Sequence, residues 1–130
     1  MRHLESQTQI SCVRWFRNTY PEYADLLFSV PNGGQRSATE ASIMRAEGIV
    51  PGVSDLILMM PVGGYHAICI EMKRITYLWE NGKEKARKGR QSKDQKKWQK
   101  LVNEQGYGYF IIYTREQFEE LIEGFLGKRY

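Results

Sequence analysis

The chain has 130 residues, of which 42% are hydrophobic and 26% are charged. This composition predicts one globular domain over residues 1–130, long enough to bury a core without disulfide or metal staples. No apolar stretch is long enough to cross a membrane, and the N-terminal residues do not form a signal peptide, so we expect an intracellular, cytoplasmic protein.

The formal net charge of +4 is unevenly distributed along the chain. Residues 83–100 contain nine Lys or Arg and two acidic residues, whereas the remainder contains ten basic and thirteen acidic residues. A local positive field of this kind attracts polyanions, of which nucleic acid is the commonest. A solvated helix face is the alternative that the segment alone leaves open.

Apolar spacing and turn residues predict the secondary structure. The predicted elements are, in chain order, a helix over 3–19, a strand over 26–30, a helix from 37 to about 47, two hairpin strands over 55–60 and 66–73, a helix from 91 or 92 to about 105, a strand over 107–113 and a helix from 114. Ser37, Ser92 and Thr114 each have the capping-box spacing that begins a helix. Residues 74–90 lack clear periodicity and are predicted to form a loop.

The order α-β-α-β-β-α-β-α predicts an α/β fold with a mixed sheet flanked by helices. The last strand follows a helical crossover and should therefore lie parallel to a neighbouring strand. Cys12 and Cys69 fall in apolar stretches and are expected to be free core thiols, with a disulfide or a reactive thiol as the alternative.

The hairpin brings polar residues together. Its loop is centred on Gly63, so symmetric pairing places residue i opposite residue 126 minus i, and Asp55 opposite Glu71. Alternation along the strand puts Lys73 on the same face as Glu71. The opposite face carries the apolar residues Ile68, Ile70 and Met72.

Two carboxylates this close repel each other unless a positive charge lies between them. A divalent cation would supply that charge, and hard oxygen ligands favour Mg²⁺ or Mn²⁺ over zinc. The alternative is a surface salt-bridge set in which Lys73 pairs with both acids.

Two helices each place a polar residue on an apolar stripe. Glu5 lies on the stripe that continues through Cys12, where burying a carboxylate is costly unless it is paired. Alternatively, Glu5 lies in an exposed first turn, where its negative charge interacts favourably with the helix dipole. Gln95 shares a stripe with Trp98, but it can also cap the helix that begins after Ser92.

The order of Glu5, residues 52–55 (Gly-Val-Ser-Asp), residues 71–73 (Glu-Met-Lys) and residues 92–95 (Ser-Lys-Asp-Gln) resembles the VRR-NUC domain of the PD-(D/E)XK nuclease superfamily. The resemblance covers nearly the whole chain, which has the size of the standalone members carried by phages and bacteria. Ser54 stands where the superfamily's name has a Pro. This departure affects the stiffness of the loop more than the chemistry.

The resemblance implies a restriction-endonuclease-like core and a role for each motif residue. Asp55, Glu71 and the backbone carbonyl of Met72 would bind Mg²⁺ or Mn²⁺, with Glu5 near the metal directly or through water. Lys73 would position or activate the attacking water and stabilise charge on the phosphate. Gln95 would orient Lys73 or the scissile phosphate.

The implied activity is hydrolysis of DNA phosphodiester bonds, on branched DNA such as Holliday junctions or flaps, by a homodimer. The candidate DNA contacts are Lys83, Lys85, Arg87, Lys88 and Arg90, together with Asn32, Arg36 and Ser92. Two other classes of protein stay open. The chain can be a nucleic-acid-binding module without catalysis, such as a degenerate nuclease or a phage-encoded inhibitor, or a protein-interaction domain whose basic segment binds an acidic partner.

Overall fold

The structure is a computed structural model that describes residues 2–31 and 37–129. Its helices are α1 (Arg2–Thr19), α2 (Ala38–Ala46), α3 (Lys93–Glu104) and α4 (Arg115–Leu126), with a 3-10 helix over Pro21–Leu26. Its strands are β1 (Leu27–Ser29), β2 (Leu56–Leu58), β3 (Ile68–Met72), β4 (Ile75–Glu80), β5 (Lys83–Lys88) and β6 (Gly108–Ile112). Within these described ranges, no helix is both long and apolar enough to span a bilayer.

A four-stranded sheet with the order β1-β2-β3-β6 forms the centre of the fold. β1 and β3 both run antiparallel to β2, whereas β6 runs parallel to β3. The parallel pair arises because α3 carries the chain across the sheet between β3 and β6. The predicted mixed α/β sheet flanked by helices, and the parallel last strand, are therefore confirmed.

The two faces of the sheet bury different clusters. Ile68, Ile70 and Met72 of β3 belong to the main core, which α1 and α4 complete. Cys69 faces the other way and packs with Val102 of α3 and a few aromatic residues. Every residue of β3 is buried, as expected for a central strand covered on both faces. The predicted division of β3 into two faces is confirmed.

Local capping signals fix where the helices begin. Ser92 and Thr114 form complete capping boxes with Gln95 and Gln117, and Ser37 accepts a hydrogen bond from the backbone of the third helical residue. A cap of this kind stabilises a helix by about 1 kcal/mol. All three predicted helix starts are confirmed.

The prediction of a loop over residues 74–90 is wrong. β4 and β5 pair antiparallel there and form a separate two-stranded sheet. Asn81 and Gly82 connect them, with φ values of 53° and 72°, which is the geometry of a type I′ hairpin turn. Hydrophobic alternation did not reveal the strands because β4 is exposed over its last four residues and β5 over its whole length.

Candidate active site

The β2–β3 hairpin has the predicted register. Leu56 pairs with Ile70 and Leu58 with Ile68, so each pair of residue numbers adds to 126. Continued by one residue, this register sets Asp55 beside Glu71. The carboxylate of Asp55 accepts a hydrogen bond from the backbone N–H of Met72 at 2.7 Å. The acid therefore lies at the end of β3, where the strand leaves the sheet.

Glu71 is a buried acid, with 3% of the residue exposed to solvent. Its Oε2 atom accepts a hydrogen bond from Nε2 of Gln95 at 3.1 Å, whereas its Oε1 atom finds no partner among the described residues. Burial, followed by the neighbouring Asp55 carboxylate, raises the pKa of Glu71 to about 9; Lys73 lowers this pKa and Glu5 raises it. Without a cation, this pair therefore holds a proton at neutral pH.

Gln95 joins the first turn of α3 to the buried acid. Its Oε1 atom accepts a hydrogen bond from the N–H of Ser92 at 2.9 Å, and its Nε2 atom donates to Glu71. The same side chain caps α3 and contacts the buried acid, so the two alternatives that the sequence leaves open are compatible with each other. The hydrogen bonds to Ser92 and Glu71 together determine the orientation of the Gln95 amide, with its nitrogen facing the acid.

Lys73 and Glu5 lie along one groove beside the acid pair. Both line a cavity of about 460 Å³, together with Ile75, Tyr77 and others. Glu5 raises the pKa of Glu71, yet no group of three His, Cys, Asp or Glu side chains in residues 2–31 and 37–129 is arranged to hold a metal ion. Glu5 is therefore near the acid pair without forming a compact carboxylate triad with it.

The salt-bridge alternative gains no support from the structure. Glu71 is buried, so it is not part of a surface ion pair. In the part of the chain that the structure describes, the ion pairs join Glu80 to Lys85, Glu119 to Arg115 and Glu22 to Arg129. None of them includes Asp55, Glu71 or Lys73.

A glycine allows the Asp55 loop to touch α3. Gly52 has a φ of 86°, and a Cβ atom placed on it would lie 2.4 Å from the backbone carbon of Asp94. Only glycine permits both this conformation and this approach. The sequence motif over residues 52–55 contains Gly52, but its contact with Asp94 was not predictable because the two residues are far apart in the chain.

A second feature missed from the sequence is a buried polar cluster behind the site. The Ser54 side chain is fully buried, and Trp98, Cys69 and Tyr109 lie on the same side of the sheet. Burial raises the pKa of the Cys69 thiol, and the nearby Ser54 hydroxyl and Trp98 indole partly oppose that shift. Cys12 and Cys69 are both free and buried, as predicted.

Most of the candidate DNA contacts lie on or beside β5. Lys83, Lys85, Arg87 and Lys88 are exposed residues of that strand, Arg90 is exposed after it, and Ser92 is the N-cap of α3. The Lys88 ammonium lies 5.2 Å from the centre of the Tyr113 ring, in range of a cation–π contact. Asn32 and Arg36 lie outside the described residues.

The mixed sheet with its flanking helices defines an α/β protein. Compared with solved structures, the chain is similar to a protein described as "VRR_NUC domain protein", with a TM-score of 0.72, 19% sequence identity, and coverage of 94% of this chain and 87% of that one. No protein-family model and no curated protein matches the chain. The VRR-NUC type of fold, which the sequence predicted by resemblance, is confirmed.

Proposed function

We propose that the chain is a single metal-dependent nuclease domain that hydrolyses phosphodiester bonds in DNA. The observation that carries this proposal is the pair formed by Asp55 and Glu71, in which a buried Glu71 oxygen has no hydrogen-bond partner among the described residues. The fold shared with a protein described as having a VRR_NUC domain also supports it.

The donor set fits Mg²⁺ or Mn²⁺. A cation beside Glu71 Oε1 would satisfy that oxygen and remove its repulsion from Asp55. The N–H of Met72 points at Asp55, and the carbonyl of a residue in a strand points to the same side as its N–H, so the Met72 carbonyl offers a third oxygen. Carboxylate and carbonyl oxygens are the ligands that these metals prefer.

The residues around the pair have distinct roles in this proposal. A divalent cation held by Asp55 and Glu71 would supply Lewis-acid chemistry, polarising a phosphoryl oxygen and lowering the pKa of a water molecule. Lys73 lines the adjacent groove and stabilises the negative charge that develops on the phosphate. Gln95 holds one oxygen of Glu71 and thereby orients the other. Glu5 adds negative charge that favours cation binding, directly or through water.

The finer proposal concerns the substrate and the assembly. The exposed basic residues on and after β5 would hold flanking phosphates, and we propose branched DNA, such as Holliday junctions or flaps, as the preferred substrate. Cutting two strands symmetrically requires two active sites and therefore a two-fold homodimer. A monomer in sedimentation at the assay concentration would contradict coordinated cutting.

The test is cleavage of four-way junction, flap, duplex and single-stranded DNA, each with and without Mg²⁺. Asp55→Asn and Glu71→Gln should each reduce cleavage by at least about a hundredfold while DNA binding survives, because the acids act on the reaction and not on phosphate capture. Glu120→Gln, on the exposed face of α4, is the matched control and should cleave normally. Persistent Mg²⁺-dependent cleavage by Glu71→Gln would refute the site.

The basic segment alone also fits a second function, a nucleic-acid-binding module without catalysis. That function predicts salt-dependent DNA binding with no cleavage of any substrate by the unaltered protein. It does not explain why the buried Glu71 lies beside the half-buried Asp55, which is why we favour the nuclease.

A further inference from the structure

The β4–β5 hairpin is an arm attached at its base. Its strands hydrogen-bond to each other and not to the central sheet, and all residues from 77 to 88 are exposed. The N–H of Gly89 donates to the carbonyl of Arg74 at 2.9 Å and closes the base. Isolated two-stranded hairpins are only marginally stable in water. An arm whose two faces are both exposed to solvent is therefore a good candidate for contacting another molecule.

The strand register gives the arm two chemically different faces. Tyr77 pairs with Ala86 and Trp79 with Glu84, so both aromatic rings lie on one face, where Tyr77 is 63% and Trp79 is 78% exposed. The opposite face carries the other three cross-strand pairs within this stretch. Those pairs are Thr76 with Arg87, Leu78 with Lys85, and Glu80 with Lys83. One face is therefore aromatic and the other is predominantly basic.

The aromatic face continues from the candidate active site. The groove that contains Lys73 and Glu5 is also lined by Ile75 and Tyr77, the first two residues of that face. At about 3.3 Å per residue, Trp79 lies at most about 20 Å beyond Lys73 along the strand. With a rise of about 3.4 Å per nucleotide along the axis of stacked DNA, this span corresponds to at most roughly six nucleotides of one strand.

We propose that this arm recognises DNA bases left unstacked at a branch point or in a flap, with Trp79 and Tyr77 stacking on them and the basic face holding phosphates. Aromatic side chains stack on any base, but a continuous duplex presents few free base faces. Residues 75–88 carry four basic and two acidic side chains, a balance that favours a polyanion over a second copy of the same arm. The proposal rests on the nuclease function and specifies the DNA feature that the nuclease reads.

The test measures binding in EDTA, where no cleavage occurs, to a four-way junction, a flap and a blunt duplex of matched sequence. Trp79→Ala should weaken binding to the junction and the flap about tenfold and binding to the duplex less than twofold. Trp79→Phe should restore most of the loss because a phenyl ring still stacks. Met59→Ala, an exposed apolar residue that follows β2 at the end away from Asp55, is the matched control and should change each affinity less than twofold.

A 2-aminopurine base reports stacking directly. Placed at successive positions up to eight nucleotides from the branch, it should lose fluorescence at one position when the unaltered protein binds, and not when Trp79→Ala binds. An equal loss of affinity for junction and duplex would overturn the proposal, as would unchanged binding together with loss of a dimer in sedimentation, which would assign the arm to a second copy.

Failure of the arm and failure of the nuclease give different results. If Mg²⁺-dependent cleavage is present but Trp79→Ala keeps the same substrate preference, the recognition proposal fails and the nuclease stands. If selective binding depends on Trp79 but no substrate is cleaved, the recognition of unstacked bases stands and the nuclease fails.

Discussion

Glu71 illustrates how a single residue reports on the function of its site. A carboxylate that is removed from water can either keep a proton or meet a cation, and the structure places a second acid, Asp55, beside it. Gln95 satisfies one oxygen only. An acid that served stability alone would have both oxygens paired, so this arrangement favours a cation in the working protein.

The raised pKa of Glu71 predicts a specific dependence of stability on pH. Below pH 4.5 the side chain is protonated in both states; between 4.5 and about 9 the unfolded chain ionises while the folded chain keeps its proton. The free energy of unfolding should therefore fall as pH rises through this window, by up to about 1.4 kcal/mol per pH unit. Urea unfolding in EDTA from pH 5.5 to 8.5 measures it.

Glu71→Gln is the control for this pH dependence, because an amide does not titrate. The difference in unfolding free energy between the variant and the unaltered protein should widen with pH in favour of the variant. Parallel curves would show that Glu71 ionises normally. Added Mg²⁺ should stabilise the unaltered protein more at pH 8.5 than at pH 5.5, since the cation binds the ionised form.

Gln95 and Gln117 allow the two tasks of one side chain to be separated. Each is the third residue of a capped helix, but only Gln95 also contacts Glu71. Both Gln→Ala variants should lose about 1 kcal/mol of stability. Only Gln95→Ala should also reduce cleavage, by about 10- to 100-fold, as expected when a group that orients a metal ligand is lost. Equal cleavage by the two variants would show that Gln95 only caps the helix and does not orient Glu71.

At the scale of residues, the sequence predicted what depends on local geometry. The facing positions of Asp55 and Glu71 followed from a symmetric hairpin, and the capping boxes followed from spacing. Two features depend on contacts between segments far apart in the chain and were not predictable. They are the fit of Gly52 against Asp94 and the burial of Ser54.

Elements were predictable where one face is buried. The residues of β2 and β3 are mostly apolar because these strands pack in the core. The residues of β4 and β5 are mostly exposed, so those strands pair mainly through their backbones. The signal that could have found the arm was the dipeptide formed by Asn81 and Gly82, which favours a tight hairpin turn whatever the flanking strands contain.

The contact between the Asp55 loop and α3 predicts the effect of a single methyl group. Gly52→Ala should destabilise the fold by about 2 kcal/mol or more and strongly reduce cleavage, because the new Cβ atom must push α3 and Gln95 away from Glu71. Chemical denaturation and cleavage rates measure both effects.

Gly64→Ala is the matched control for Gly52→Ala. Gly64 has nearly the same φ, 85°, but a Cβ atom there meets nothing within 4 Å. It should show the backbone strain alone, about 1 kcal/mol, with cleavage unchanged. If the two variants behave alike, the contact with α3 does not position the site.

At the scale of the whole molecule, charge is the property that links the fold to its proposed substrate. Neutralising Lys85, Arg87, Lys88 and Arg90 together should reduce the slope of log affinity against log salt by up to about 3.6, because each lost phosphate contact removes about 0.9. Fluorescence anisotropy across a salt series measures the slope. The matched control neutralises Lys93, Lys96, Lys97 and Lys100 on α3, which changes net charge equally and should flatten the slope less.

The fold as a whole was predictable because the order of elements and the handedness of crossovers leave few arrangements. The similar solved structure has a TM-score of 0.72 to this chain at 19% sequence identity, so the two proteins share this arrangement although their sequences differ widely. The placement of the basic residues was not predictable, because it depends on the hairpin that the hydrophobic pattern did not reveal.

The junction between β3 and the arm has a consequence for motion. Glu71 belongs to a strand buried on both faces, yet only two residues separate that strand from the exposed hairpin. Amide protons of residues 68–72 should exchange with solvent only through global unfolding, whereas those of residues 77–86 should exchange through local opening. Lys73 lies at this boundary. Its N–H donates to the carbonyl of Ile112 in β6 at 2.9 Å, so fraying of the hairpin would leave the lysine backbone and the two acids in place, whereas DNA that orders the hairpin would slow exchange in residues 77–86.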